Sequence, residues 1–164
     1  MSETSPLRIY LASAFSRQAE IKKVAVELES MGVDITSRWL DQPTTDNRAS
    51  ESFLRDMAWR DLADLRRAEI FVRFSDPEYF GSDPCDSKLL SGARFWETGF
   101  AFANGKRIIV VGGRQNVFDR LDRVLHLADA DALKNFVKQE LAGSFCGDLV
   151  PPIGAGSPLI DSVN

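Results

Sequence analysis

Leu7 to Ala12 reads Leu-Arg-Ile-Tyr-Leu-Ala, a short apolar run that stops in small residues. It has the length of a strand buried on both faces. Similar runs recur at Val33–Thr36, Ile70–Phe74, Arg107–Val111 and Arg123–Leu127, and stretches of helical period separate them. This alternation constrains the chain more than any other feature. Strand–helix–strand units cross over with a right hand and build a parallel sheet with helices on both faces. The predicted fold is therefore α/β: a single-domain three-layer α/β/α unit over residues 1–142, with a five-stranded parallel sheet of flavodoxin or Rossmann-like type. Residues 143–164, rich in Gly and Pro and without period, are expected to form an irregular tail.

The helical stretches carry their own punctuation. Ile21, Val24, Ala25, Leu28 and Met31 recur at helical spacing, with Ser16 as a cap and Gly32 as the stop. Phe53, Leu54, Met57, Ala58, Leu62 and Leu65 mark a second helix behind Ser50. Ser91–Ala103 forms a third, ended by Asn104-Gly105, and Asp129 caps a fourth that runs to Leu141. Val117–Leu121 reads as a short turn or helix. Ser37–Arg48 is a polar loop around Trp39, and Ser75–Leu90 a long loop holding Pro77, Gly81 and Pro84. Loops of that length are usually functional or disordered.

Composition removes several classes of function. A formal net charge of −4 argues against a nucleic-acid polymer as partner. No apolar run reaches the roughly 18 residues of a membrane span. The polar start, Met-Ser-Glu-Thr-Ser-Pro, is not that of a signal peptide. Two distant cysteines, Cys85 and Cys146, make no disulfide framework and fit a reducing cytoplasm. A single histidine, His126, argues against a zinc site and against a Ser-His-Asp triad, and is expected to be structural. Neither a GxGxxG nor a GxxxxGK[ST] motif is present, so no dinucleotide or ATP fingerprint appears.

In an open parallel sheet, ligands bind beyond the carboxyl ends of the strands. Leu11–Arg17, Ser37–Asp41, Ser75–Gly92 and Gly112–Phe118 fall there. Glu97 is one carboxylate within the apolar third helix, either a surface charge or a working group. Gly92 would let backbone approach a ligand, and Gly99 suggests close packing. Tyr10 ends the first strand, as a core phenol or as a hydroxyl aimed into the crevice. Asp64 suits a solvated ion pair with neighbouring arginines; Asp61, beside Leu62 and Leu65, is a candidate second carboxylate of the cleft. Trp39 is either a packing lid or a plate for a flat ring. Arg17 and Arg94 are either surface charge or holders of a phosphate or hydroxyl.

Four segments together resemble the nucleoside 2-deoxyribosyltransferase family, which includes the 2'-deoxynucleoside 5'-monophosphate N-hydrolases. They are Ile9-Tyr10-Leu11-Ala12-Ser13; Asp61 to Glu69 with Ile70-Phe71-Val72; Ser91 through Glu97-Thr98-Gly99-Phe100-Ala101; and Gly105-Lys106 before Arg107–Val110. They span about residues 8 to 127 in the family's order.

The resemblance implies that Glu97 is the nucleophile, Asp61 the general acid and Tyr10 the hydroxyl that orients Glu97. It implies substrate contacts from Ser13, Phe15, Arg17, Trp39, Ser91, Gly92, Arg94 and Asn116. Ser91 stands where transferases usually carry an Asp, which favours the hydrolases, while the Ser13–Arg17 loop with Phe15 is closer to the transferases. Transfer of a deoxyribosyl group from a 2'-deoxynucleoside to another nucleobase is the expected activity. The alternatives are hydrolysis of deoxynucleoside monophosphates, cleavage of NAD-like ribosides, and a non-enzymatic nucleotide-binding module. The partner is then a small molecule, no metal or organic cofactor is required, and a homodimer or larger oligomer is expected, its pocket completed by a neighbour's Asn116–Arg123 region. With an ordinary pKa Glu97 would be ionised roughly 500 to 1 at pH 7. Asp61 would have to be raised to about 6 to hold a proton, a cost of roughly 3 kcal/mol.

Overall fold

The computed structural model describes residues 5–43, 50–76 and 92–143. Five parallel strands form one sheet: β1 Arg8–Ala12, β2 Asp34–Ile35, β3 Ile70–Phe74, β4 Arg107–Val111 and β5 Val124–Leu127, in the spatial order β2-β1-β3-β4-β5. Among the described residues four α-helices accompany it: α1 Gln18–Glu29, α2 Glu51–Arg67, α3 Ala93–Ala103 and α4 Ala130–Leu141. The chain thus adopts the α/β architecture expected from its alternation, with the sheet order reversing between β1 and β3. No helix among the described residues is long and apolar enough to cross a membrane.

Register fixes which side chains share a face. Tyr10 lies opposite Phe71, Phe71 opposite Ile108, and Ile108 opposite Val124. With side chains alternating along each strand, that row and the next (Ala12, Arg73, Val110, His126) face one way. This is the side of α2 and α3, where the Tyr10 and Phe71 rings stack at 5.9 Å. Leu11, Val72 and Ile109 face α1 and α4, against Ile21, Leu28, Leu133 and Val137, all fully or nearly fully buried.

The caps are made as the sequence indicates for α2 and α4. Ser50 accepts from the Phe53 N–H and Asp129 from the Ala132 N–H. The first helix differs: a 3-10 turn, Phe15–Arg17, precedes α1, and Ser16 caps nothing.

The Ser37–Arg48 loop is also corrected in part. Arg38–Asp41 forms a 3-10 helix with Trp39 and Leu40 buried. The Trp39 indole N–H donates to the Leu11 carbonyl at 2.7 Å, and the Leu11 N–H donates to Ser37 Oγ at 2.6 Å. Two large apolar residues beside a two-residue strand fold down over the end of β1 instead of remaining in solvent. Trp39 is therefore part of the core, not an open plate for a ring. The expectations for most of the Ser75–Leu90 loop, and for the tail beyond Gly143, lie outside the described residues.

One strand breaks the apolar rule. Arg73 sits in the middle strand, fully buried, its Nη2 paired at 2.6 Å with Oδ2 of Asp119. Asp119 belongs to the 3-10 helix Val117–Arg120, and the same carboxylate accepts from the Gln115 and Asn116 backbone N–H groups. The guanidinium also lies 4.9 Å from the Phe95 ring centre.

Candidate active site

β1 carries Tyr10 to the sheet face beneath α3, and α3 lowers Glu97 onto it. The phenol donates to Glu97 Oε1 at 2.6 Å, a short contact across 87 residues of sequence. Asp61, from the middle of α2, is close enough to both to repel their negative charges. Its Oδ1 is buried without a hydrogen-bond partner. The Ser13 Oγ and the Arg60 Nε are likewise buried and unpartnered. The structure thus brings Tyr10, Glu97 and Asp61 together at the carboxyl end of β1, where the sheet order reverses.

Their proton affinities depart from the simple expectation. Burial raises Asp61 to about 6, with the Asp64 charge adding and the Arg60 and Arg38 charges opposing. Burial raises Glu97 further, to about 7, against the lowering effect of the Tyr10 hydrogen bond. Tyr10 itself is pushed well above the ordinary phenol value, first by burial and then by Glu97 and Asp61. Glu97 is therefore not overwhelmingly ionised at pH 7 in the free protein. It is the more deeply desolvated of the two carboxyls, and among the described residues no cation contributes to its shift. The Asp61 charge adds a smaller upward push to Glu97.

Asp64 overturns its reading as a solvated charge. It is fully buried and binds Arg38 through the backbone N–H at 3.2 Å, through Nε at 2.8 Å and through Nη2 at 2.7 Å. This pair ties α2 to the 3-10 helix that covers the end of β1, one helical turn beyond Asp61. Arg38, Asp76 and the Arg73–Asp119 pair were not singled out in the sequence. Only Arg73 carried a signal there, a charge inside the otherwise apolar run Ile-Phe-Val-Arg-Phe.

The remaining candidates divide by position. Arg17 donates through Nη1 to the Ser75 carbonyl at 2.7 Å and pairs with Glu20. Phe15 packs against Trp39. Arg94 is buried, with Nη2 2.6 Å from Asp76 Oδ2. Gly92 starts α3, and its carbonyl accepts from Phe95 and Trp96. Ser91 lies outside the described residues. Nothing stands within 4 Å of where a Gly99 Cβ would be, so close packing does not account for that glycine. It borders a cavity of about 560 Å³ formed with Phe95, Phe102, Ile108, Phe118 and Val124.

That cavity lies on the side of α3 opposite Glu97. Asn116 lines it and caps the Val117–Arg120 helix by accepting from Phe118 and Asp119. Within one chain, Asn116 is thus separated from Glu97 by the body of α3. His126 is held by its Nε2, 2.6 Å from the Asp119 carbonyl oxygen.

No family model matches the chain, and no curated protein sequence matches it. Solved structures do. A 2-deoxyribosyltransferase from the psychrotolerant bacterium Bacillus psychrosaccharolyticus superposes with a TM-score of 0.56 at 19% identity, over 78% of this chain and 90% of that one. A conserved protein from Enterococcus faecalis V583 gives 0.55 at 13% identity, over 83% and 99%. A CMP N-glycosidase from Clostridium botulinum gives 0.48 at 17% identity, over 82% and 98%. The chain has the fold of a 2-deoxyribosyltransferase, with two half-buried carboxyls close to the buried phenol of its first strand.

Proposed function

We propose that this protein is an enzyme of the nucleoside 2-deoxyribosyltransferase kind, cleaving the N-glycosidic bond of 2'-deoxynucleosides through a glycosyl ester on Glu97. The observation that carries the reading is the 2.6 Å Tyr10–Glu97 hydrogen bond beside Asp61, a carboxyl whose buried oxygen has no partner. Glu97, ionised, attacks C1'. As the new C–O bond forms the C1'–N bond breaks, its electron pair goes to the departing base, and Asp61 gives that base its proton. A second base then attacks C1', giving its N–H proton to Asp61 as the new C1'–N bond forms, and the ester bond breaks back to the Glu97 carboxylate. With water as acceptor the same steps give hydrolysis.

Tyr10 holds one Glu97 oxygen, leaving the other for C1'. A positive charge developing on the sugar draws Glu97 toward its ionised form, which offsets the burial that keeps it protonated in the free protein. The physiological form is proposed to be a dimer. The groove beside α3, with Val117 and Phe118 exposed next to it, offers an apolar surface for a second copy.

The test is incubation with a 2'-deoxynucleoside, with and without a second free base, followed by chromatography. Base exchange supports the transferase; base release alone moves the assignment to a hydrolase. Full activity in Glu97→Ala rejects the mechanism.

A further inference from the structure

We infer that the hollow behind α3 is a second small-molecule site, built for an uncharged flat molecule of two or three fused rings that carries a carbonyl-type acceptor. The hollow measures about 560 Å³, within the size range of sites for such ligands. Phe95, Phe102, Ile108, Phe118, Leu121 and Val124 form most of its wall, which is therefore apolar and largely aromatic. Apolar cavities stay dry and take up aromatic molecules. The site is separate from the proposed catalytic cleft, because Glu97 and its Tyr10 partner lie across the body of α3 from it.

Arg73 defines what the occupant must supply. It lines the hollow and is fully buried. Its Nη2 donates to Asp119 Oδ2 at 2.6 Å, but Nε and Nη1 have no hydrogen-bond partner. Buried donors left in that state are costly, charged ones most of all. Phe95, 4.9 Å from the guanidinium carbon, covers one face of the group, so its free donors are met only in the guanidinium plane. Asn116 makes the same demand. Its Oδ1 already accepts from the Phe118 and Asp119 N–H groups, which leaves its amide N–H groups to offer. The Thr98 hydroxyl donates to the Arg94 carbonyl. The hollow thus has donors to give and takes an acceptor from its occupant.

Charge selects a neutral acceptor over an anion. The Asp119 carboxylate also lines the hollow and balances Arg73. Its Oδ2 takes the Gln115 and Asn116 backbone N–H groups as well, so it is fixed beside the guanidinium. An entering carboxylate would meet that fixed charge at close range, whereas a carbonyl oxygen would meet the donors without repulsion. Gly99 fits the same reading. It borders the hollow, and a Cβ there would have nothing within 4 Å, so a residue poor for a helix interior keeps open the space an occupant needs. Val117 and Phe118 at the rim remain available to a second copy of the chain while the hollow is filled.

The test is binding of fluorenone, of fluorene, which lacks the carbonyl, and of fluorenecarboxylate, followed by thermal melting and equilibrium dialysis. Fluorenone is expected to raise the melting temperature and to bind about tenfold tighter than fluorene, the size of one hydrogen bond to a charged donor. Fluorenecarboxylate is expected to give no stabilisation. Gly99→Leu, which puts a side chain into the hollow, is expected to melt higher without ligand and to weaken fluorenone binding at least about tenfold. Glu97→Ala, on the other side of α3, is expected to keep the fluorenone Kd within about twofold. No stabilisation by fluorenone, equal binding of fluorene, or tighter binding of the carboxylate overturns the inference. So does fluorenone binding that survives Gly99→Leu or is lost in Glu97→Ala, since the ligand then sits in the catalytic cleft. If fluorenone fails to bind and Gly99→Leu converts a dimer to a monomer in light scattering, the second copy fills the hollow and the inference is likewise overturned. Should Gly99→Leu not fold, the three probes on the parent and on Glu97→Ala still decide. No arm requires turnover, so the outcome is independent of the proposed reaction.

Discussion

Glu97 is held between two opposed influences: burial, which favours its neutral form, and the Tyr10 hydroxyl, which favours the charged one. Burial prevails and leaves the group near 7. The folded protein therefore keeps a proton that the unfolded chain releases above its ordinary value of 4.5. The sign follows: stability falls as pH rises from about 4.5 to about 7, and stays lowered above it. Glu97→Gln removes that loss. It is expected to melt higher than the parent at pH 8 by up to about 3 kcal/mol and to match it near pH 4, measured by urea unfolding at both pH values.

Tyr10→Phe deletes the only hydrogen bond described at that carboxyl, so Glu97 rises and the basic limb of the activity profile, which follows it, should move to higher pH, with about a tenfold loss in activity at the maximum. In the parent, kcat/KM against pH should be bell-shaped, with limbs near 6 and 7. In the proposed mechanism the nucleophile Glu97 lies above the acid Asp61 in proton affinity, so only a minority of molecules would be correctly protonated at any pH.

At the scale of elements, α2 supplies Asp61, and the Asp64–Arg38 pair sets where α2 lies. Asp64→Ala strips the Arg38 guanidinium of its carboxylate partner and opens a gap beneath α2. A loss of about 2–3 kcal/mol in chemical unfolding is expected, together with a fall in kcat because Asp61 is displaced. The elements themselves were legible from sequence, because helical and strand periods, the Ser50 and Asp129 caps and the Asn104-Gly105 stop all point the same way. Glu97, Tyr10 and Asp61 were each candidates from their place in the sequence, but only the resemblance to a family joined them as a trio, since no spacing rule links residues 10, 61 and 97. The choice between packing lid and plate for Trp39 and the solvated reading of Asp64 share one difficulty. A polar neighbourhood in sequence does not reveal that an indole N–H will reach the Leu11 carbonyl, or that a carboxylate will be covered by an arginine from a distant turn.

Over the whole molecule, the sheet is unevenly clothed. α2 and α3 cover β1 and β3 on the Tyr10 side, while Ile108 and Val124 open into the cavity beside α3. Val117, at 72% exposed, and Phe118, at 69%, stand at its rim. Apolar groups placed beside an apolar hollow suit a twofold contact between identical chains. Phe118→Asp should then convert a dimer to a monomer in light scattering while leaving the fold intact by circular dichroism.

The buried Arg73–Asp119 pair joins the centre of the sheet to a turn 46 residues later. During synthesis, the middle strand emerges from the ribosome long before its counter-charge does. A nascent chain halted short of residue 119 would have to bury a bare cation or leave β3 out of the sheet, so the domain should close only once that turn has emerged.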